Sequence, residues 1–479
     1  MKLNTASLSI LLLVVVGRCL AKEEVAMIIE LTRHGTRMST GWHRDEKWTK
    51  GLIPGQLTPV GKRMHYLLGK EVRSRYPTIF EKGLKHDEFY IRSSAIPRAI
   101  ESGISHMFGL WDQFSDYELP FKNDDKRVQP PQTPNSSLNV DFKTPLPEGL
   151  LINPFHTEPV EDDSLLLLWD SNQCPWGIKQ LDKIYNEVGR KLESSKKFKA
   201  FVKEAHTRYD IPYTEENLYT KCINLGDFAA QDTFNNPSPR IRPDEDLFKL
   251  LTRCYEAKIL TRYTDLTLLK LHNSALVSEI SEKLSEKASP HPSPALYHYY
   301  SAHDSTLSGL LSAAGLLSAR CVVDSLYDGM TAACPPFPQV ASNVIFELVR
   351  DDGLPYVKMM YDFEAVDVCR RDGVAANAGF RCPLEEFLGV FKGFGDVERK
   401  EYCFRGETGN EESGVRGVVG VRRRVHTWKV ASAVLGILIW FLVIGWCSLY
   451  FKLKKAKKSG NRKLKNVEVV EQTEAKELP

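Results

Sequence analysis

Residues 25–37 read Val-Ala-Met-Ile-Ile-Glu-Leu-Thr-Arg-His-Gly-Thr-Arg, and the fold turns on how they are taken. Val25–Thr32 is a short apolar run that stops at a polar, glycine-bearing segment, the pattern of a buried strand. Leu57–Arg75 follows, with Thr58-Pro59 at its start, and proline fits a first helical turn. Met64, Leu67, Leu68 and Val72 then recur at helical spacing. Glu88–Arg92 reads as a second strand and Pro97–Trp111 as a second helix. Strand, helix, strand, helix in that order predicts an α/β layer with parallel pairing.

Ligands of open α/β sheets gather beyond the carboxyl ends of strands, which is where Arg33-His34-Gly35-Thr36-Arg37 falls. Arginine presents a fork of donors that matches phosphate oxygens. Nearby positive charge also favours a neutral imidazole, the form able to act as a nucleophile. Gly35 is expected to let the chain turn sharply there. A second such place comes late in the chain. Alternation over Ala295–Ala302 runs into His303-Asp304-Ser305-Thr306, and Leu307, Leu310, Leu311 and Ala314 mark a helix. Asp304 or Ser305 is expected to cap that helix, and a carboxyl group there can also protonate a leaving-group oxygen.

The two places are separated by a proline-rich excursion from Pro120 to Pro159 and by helical patterns over Gly177–Arg208 and Asp244–Lys287. Strand patterns return at Asn343–Val349, with Tyr356–Tyr361 pairing beside it. The expected organisation is therefore a catalytic α/β domain over 22–112 and 290–405, with a mainly α-helical insertion domain over 113–289.

The chain has 479 residues, 42% of them apolar and 26% charged, which excludes a disordered, collagenous or miniprotein class. Met1–Ala21 reads as a secretory signal, with Lys2, an apolar block over Leu8–Val16, and the cleavage pattern Cys19-Leu20-Ala21. Residues 406–429 read as a flexible stalk. Val430–Phe451 is uncharged and long enough to cross a hydrocarbon layer of roughly 30 Å. The basic tail, 452–479, favours a type I orientation, although Arg422, Arg423 and Arg424 weaken the contrast. The net charge of +3 thus sums three compartments: +2 in the signal, −4 over 22–451 and +5 in the tail. A slightly acidic outer part speaks against nucleic acid as a partner. Cys174, Cys222, Cys254, Cys321, Cys334, Cys369, Cys382 and Cys403 remain outside, enough for up to four disulfides of open connectivity. No CxxC pair or Cys/His cluster points to zinc. Asn135-Ser136-Ser137 is a glycosylation sequon.

Taken together, these segments resemble the histidine acid phosphatases, the lysosomal and prostatic branch of the histidine phosphatase superfamily. The motif RHGxRxP appears as Arg33-His34-Gly35-Thr36-Arg37-Met38-Ser39. QLTPVGKRMHYLLG, FYIRSSAIPRAI and YYSAHDSTLSGLL follow in order, and NPFHTEPVEDDSLLLL and Cys382-Pro383-Leu384-Glu385 add to the likeness, which spans about 25–405. The resemblance implies a phosphoglycerate-mutase-like mixed sheet flanked by helices, with an inserted helical domain. It implies that His34 is the nucleophile and forms a phosphohistidine. Arg33, Arg37, Arg98 and His303 would hold the phosphate, and Asp304 would protonate the leaving alcohol, which favours an acidic working range. It implies phosphomonoester substrates, small molecules or proteins, no metal or cofactor, and a homodimer. The catalytic side would face away from the cytosol, at the cell surface or in an endosomal or lysosomal compartment.

Two departures stand out. Ser39 replaces the usual proline, which is expected to loosen the loop after Arg37, and Ala95 replaces a common aspartate at the pocket rim. The loops near 120–150 and between Cys369 and Cys382 also look long. Other readings fare worse. Gly55–Arg63 has the wrong spacing for a phosphate-binding P-loop, and no GxSxG elbow is present. His298 and His303 fall on opposite strand faces, which disfavours a metal pair. Phosphomutases share the RHG start, but a secreted chain with His303-Asp304 favours hydrolysis. The rival from another class is a type I receptor or adhesion protein with a degenerate phosphatase domain. Retention of all six site positions argues against it.

Overall fold

The run expected at Val25–Thr32 forms β1, Glu24–Arg33, near the middle of a mixed sheet. The computed structural model describes residues 24–404, except 43–45, 82, 84, 112–119, 121–143, 145, 147–153, 328–332, 370–379 and 396–398. Strands β2 (Phe89–Ser93), β3 (Tyr297–Ala302), β4 (Asn343–Asp351), β5 (Leu354–Tyr361), β6 (Glu364–Val366) and β7 (Cys382–Pro383) complete the sheet. The order is β2-β3-β1-β4-β5-β6, with β7 also pairing β5. β3 runs parallel to both β1 and β2, and β4 runs antiparallel to β1. The first two strands are thus parallel but not adjacent, because β3, some 260 residues downstream of β1, inserts between them.

Period-two alternation along β1 gives each face of the sheet its own core. Met27, Ile29 and Leu31 join a large cluster that continues through the helices between residues 175 and 288. Ile28 joins the opposite cluster, with Val72 from helix α1 (Pro59–Arg75) and Met107 and Leu110 from α2 (Pro97–Leu110). Helix α1 starts as its sequence indicates: Thr58 caps it by accepting from the Gly61 N–H at 3.1 Å, and Pro59 occupies the first turn.

The helical block contains α3 (Pro175–Glu193), α4 (Lys196–Arg208), α5 (Leu218–Asn235), α6 (Asp246–Leu260) and α7 (Leu266–Ala288). Helix α5 was not legible as a separate element, because its buried face mixes polar with apolar residues. Helices α8 (Asp304–Ala313) and α9 (Ala319–Tyr327) follow β3. The cap of α8 falls before both expected positions, Asp304 and Ser305. His303, extended in backbone, is the N-cap, and its N–H donates to the Thr306 hydroxyl at 3.4 Å. Asp304 is therefore the first helical residue, where the helix dipole favours a carboxylate.

All eight outer cysteines are paired: Cys174–Cys403, Cys222–Cys254, Cys321–Cys334 and Cys369–Cys382. The second bridge joins α5 to α6, and the first ties the start of the helical block to the end of the described chain. All described residues fall in one compact unit. The expected signal, Asn135 sequon, stalk, Val430–Phe451 span and tail lie outside the described residues. No helix among the described residues is long and apolar enough to cross a membrane.

Candidate active site

Parallel pairing puts the two sequence signals side by side. Arg33 and Ala302 are register partners at the carboxyl ends of β1 and β3, so His34 and His303 leave the sheet together. Their ring centroids are 5.4 Å apart, and the His34 N–H donates to the Ala302 carbonyl at 3.0 Å. His34 Nδ1 lies 2.9 Å from the Gly35 carbonyl oxygen. A carbonyl can only accept, so Nδ1 carries the proton and Nε2 presents its lone pair. Burial, then Arg98, His303, Arg37 and Arg33, hold the His34 pKa well below the ordinary histidine value, and the ring stays neutral.

Gly35 does not take a left-handed conformation, so the expected sharp turn is not what requires glycine here. A Cβ at Gly35 would lie 2.5 Å from the Gly61 carbonyl oxygen. Glycine is needed because the first turn of α1 packs directly onto the loop, and the Gly35 N–H donates to the Ser102 hydroxyl of α2 at 3.1 Å.

The three arginines are all present, each with a different partner. Arg33 pairs with Asp304 (Nη2 to Oδ2, 3.0 Å) and donates from Nη1 to the Pro338 carbonyl at 2.6 Å. Arg37 forks onto Asp227 of α5 at 2.9 and 3.1 Å. Arg98, in the first turn of α2, has its pKa lowered to about 10 by burial and then by Arg37. Its Nη2 lies 3.5 Å from His303 Nδ1, which must therefore accept, leaving His303 Nε2 protonated and donating to the Ser94 hydroxyl at 2.8 Å. Burial, then Arg98, lowers the His303 pKa to about 3.

Asp304 accepts from the Tyr255 hydroxyl of α6 at 2.6 Å and from the Ser305 N–H at 2.8 Å. Burial alone would raise its pKa, but Arg33 and then Tyr255 overcome that and hold the carboxyl well below the ordinary range. With both histidines neutral, three guanidinium groups face two carboxylates, and one net positive charge remains for an anion.

The sequence pointed to Arg33, His34, Arg37, Arg98, His303 and Asp304, and the structure brings all six together. It missed the groups that hold them. Asp227 accepts from Arg37, from the Ser39 hydroxyl at 2.8 Å and from the Thr40 N–H at 3.0 Å. Ser39 in the usual proline position therefore adds a hydrogen bond and ties the loop, instead of loosening it. Gln231, one turn further along α5, accepts from the Thr36 hydroxyl and the Arg37 N–H. His65 lies 3.0 Å from the Arg33 carbonyl and so donates from Nε2. The available signal was Asp227 and Gln231 at helical spacing within an apolar stretch. As for metal, Cys369, Cys382 and Glu386 cluster, but both sulfurs are spent on each other in a disulfide.

A buried, tautomer-fixed imidazole beside three guanidinium groups suits phosphoryl transfer, whose transition state needs positioning and positive donors. Comparison with known proteins agrees. The family profile "Histidine phosphatase superfamily (branch 2)" matches residues 40–362, a span that starts just after the Arg33–Arg37 segment and contains Arg98, His303 and Asp304. The chain belongs to that superfamily and is a histidine phosphatase. Among its relatives, prostatic acid phosphatase of Mus musculus is 26% identical over 80% of this chain and 91% of its own. Lysosomal acid phosphatase of Xenopus laevis is 24% identical over 79% of each. The fold is shared with the Bifidobacterium longum multiple inositol polyphosphate phosphatase, with a TM-score of 0.51 at 12% identity, over 79% of this chain and 94% of that one.

Proposed function

We propose that this chain is an acid phosphatase that hydrolyses phosphate monoesters through a phosphohistidine at His34, on the lumenal or extracellular side of a membrane that it spans once. The observation that carries the reading is the convergence of the neutral His34 Nε2 with Arg33, Arg37, Arg98, His303 and Asp304 at the ends of two adjacent parallel strands.

His34 Nε2 attacks phosphorus in line, and the bond from phosphorus to the alcohol oxygen breaks. Asp304 gives its proton to that oxygen. Water then attacks the phosphohistidine, Asp304 takes a proton from it, and the P–N bond breaks to restore His34 and release phosphate. Arg33, Arg37, Arg98 and His303 hold the phosphate oxygens throughout. In the free site Arg33 keeps Asp304 ionised. An arriving phosphate competes for Arg33, the Asp304 pKa rises, and acidic medium supplies the proton that the first step consumes.

Around this centre the proposed organisation is a signal over 1–21, a catalytic domain over 22–112 and 290–405, and a helical insertion over 113–289. A stalk, a single span over 430–451 and a basic cytoplasmic tail follow, with Asn135 glycosylated and the protein a homodimer. The prostatic and lysosomal names of the relatives favour the same compartments.

The test is turnover of p-nitrophenyl phosphate by the purified chain at acid pH, with trapping of an acid-labile phosphoenzyme after rapid quenching. His34→Ala is expected to abolish both. Wild-type activity that survives His34→Ala unchanged would sink the mechanism, and absence of activity on any monoester would promote the receptor reading.

A further inference from the structure

A cavity of about 330 Å³ has Arg33 in its wall and lies within the size range of small-molecule sites. Two of its wall residues, Arg33 and Tyr255, are the two side chains that hold Asp304 Oδ2. The Asp304 carboxyl does not itself line the cavity, which reaches it through Arg33 and Tyr255, and a phosphate that draws Arg33 away from Asp304 would join the two. Most of the remaining wall is apolar. Phe337 is buried in this wall, with the Arg33 guanidinium 5.7 Å from its ring centroid and the Tyr255 ring at 6.5 Å. Phe248 and Phe234, the latter 37% exposed, line it as well. Cys334, three residues before Phe337, is bonded to Cys321 of α9, which anchors the segment carrying Phe337.

Little free charge lines this wall in acidic medium. Arg33 is paired with Asp304, and Glu256, whose pKa burial raises to about 7, is neutral there and pairs with Arg253 at 3.1 Å when ionised. Among the described residues, the wall has no cation left over for a second phosphate.

We propose that this cavity is the leaving-group subsite, and that Phe248, Phe234 and Phe337 select phosphate monoesters of aromatic or compact apolar alcohols over esters whose alcohol bears a second phosphate. The proposal rests on the phosphatase reading above and adds to it the class of alcohol. A ring seated there gains edge or face contact with the three phenylalanines and leaves water without paying for an unpaired charge. Phe248 and Phe234 offer a phosphate neither charge nor a hydrogen bond, so their part is in specificity.

The experiment compares wild type with the Phe234→Ala/Phe248→Ala double variant in two arms. The first measures kcat/KM on phenyl phosphate and on glycerol 2-phosphate. Taking each variant against wild type on the same ester removes the intrinsic difference between the leaving groups. Phenyl phosphate is expected to lose about tenfold or more, mainly in KM, and glycerol 2-phosphate less than twofold. The second arm measures binding of benzylphosphonate and methylphosphonate, which have no leaving group. Wild type is expected to prefer the benzyl compound at least tenfold and the variant to approach parity, with methylphosphonate unchanged. Hydrolysis of both esters without any ring preference overturns the subsite and leaves the phosphatase reading standing. Preference for benzylphosphonate without hydrolysis of either ester does the reverse. A ring preference that the double variant retains in full also overturns the assignment, as does faster turnover of a sugar bisphosphate than of the matching monophosphate.

Discussion

Asp304→Asn keeps the side chain's shape but removes both its charge and its proton, and two opposite consequences follow. On a poor leaving group such as a glycerol phosphate, the proton is needed as the bond to phosphorus breaks. Loss of a general acid typically costs 10²- to 10⁴-fold, and that is the expected fall in kcat/KM, which reports phosphorylation and not the later attack of water. p-Nitrophenolate leaves without help, so its loss in kcat/KM should stay within about tenfold. Phosphate itself should bind more tightly. Arg33 Nη2 lies 3.0 Å from Asp304 Oδ2, and a phosphate oxygen on the other side of the same guanidinium would sit about 3 Å from it. The two anions are then separated by roughly 6 Å. At an effective dielectric constant of about 20 their repulsion is about 3 kcal/mol, a ceiling of roughly a hundredfold in affinity. Inhibition by inorganic phosphate at pH 7, where Asp304 is ionised, should tighten by 10- to 100-fold in the variant. The gap should narrow in acid, where wild-type Asp304 takes up a proton as phosphate binds. Equal losses in kcat/KM on both esters would refute the acid role. Phosphate inhibition no tighter than wild type would refute the idea that the Asp304 carboxylate and the anion compete for Arg33.

Asp227→Ala strands Arg37 in a buried setting, and unfolding by urea should show a loss of about 3–5 kcal/mol, whereas Ser39→Ala should cost about 1 kcal/mol. Gly35→Ala drives a methyl group into the Gly61 carbonyl, and is expected to abolish activity in protein that still folds, judged by an unchanged far-ultraviolet circular dichroism spectrum. Stability should depend on pH through two buried groups of opposite sign. Burial raises the Glu256 pKa to about 7, so its contribution is complete below the unfolded value near 4.5 and is lost as pH rises through 7. Glu256→Gln should remove that loss, by about 3 kcal/mol at pH 8 and beyond, in denaturant titrations. Burial, then Lys283, lowers the His298 pKa to about 4, so its contribution is complete above about 6.5 and fades as pH falls toward 4. In His298→Phe the drop in stability between pH 7.5 and pH 5 should shrink by about 2 kcal/mol.

The sequence revealed those parts of the site that leave the strands. Val25–Thr32 and Ala295–Ala302 are apolar or alternating runs that end in charged motifs, and both became neighbouring strands with their motifs in contact. The supports of the site were hidden for a physical reason. Asp227 lies about 190 residues from Arg37, in a helix with no motif, and buried pairing at that separation leaves no local pattern. Tyr255 was equally silent, since a tyrosine on an amphipathic helix reads as core. The helix cap was placed too late, at Asp304 or Ser305, because Thr306 supplies the local partner of the His303 N–H. Gly35 was rightly singled out, but for its conformation, whereas the requirement comes from Gly61 on a different element.

The central place of β1 has a further consequence, for how the chain is made. Its hydrogen-bonding neighbours are β3 and β4, which begin at Tyr297 and Asn343. At ribosomal rates of about 5–20 residues per second, β1 waits on the order of 15–60 s before both edges can be paired. Throughout that time Met27, Ile28, Ile29 and Leu31 have no sheet to enter, while the contiguous helices from Pro175 to Ala288 already have partners. The half of the nucleotide message that encodes the nucleophile is translated first, yet His34 can reach its working position only after translation has passed β3.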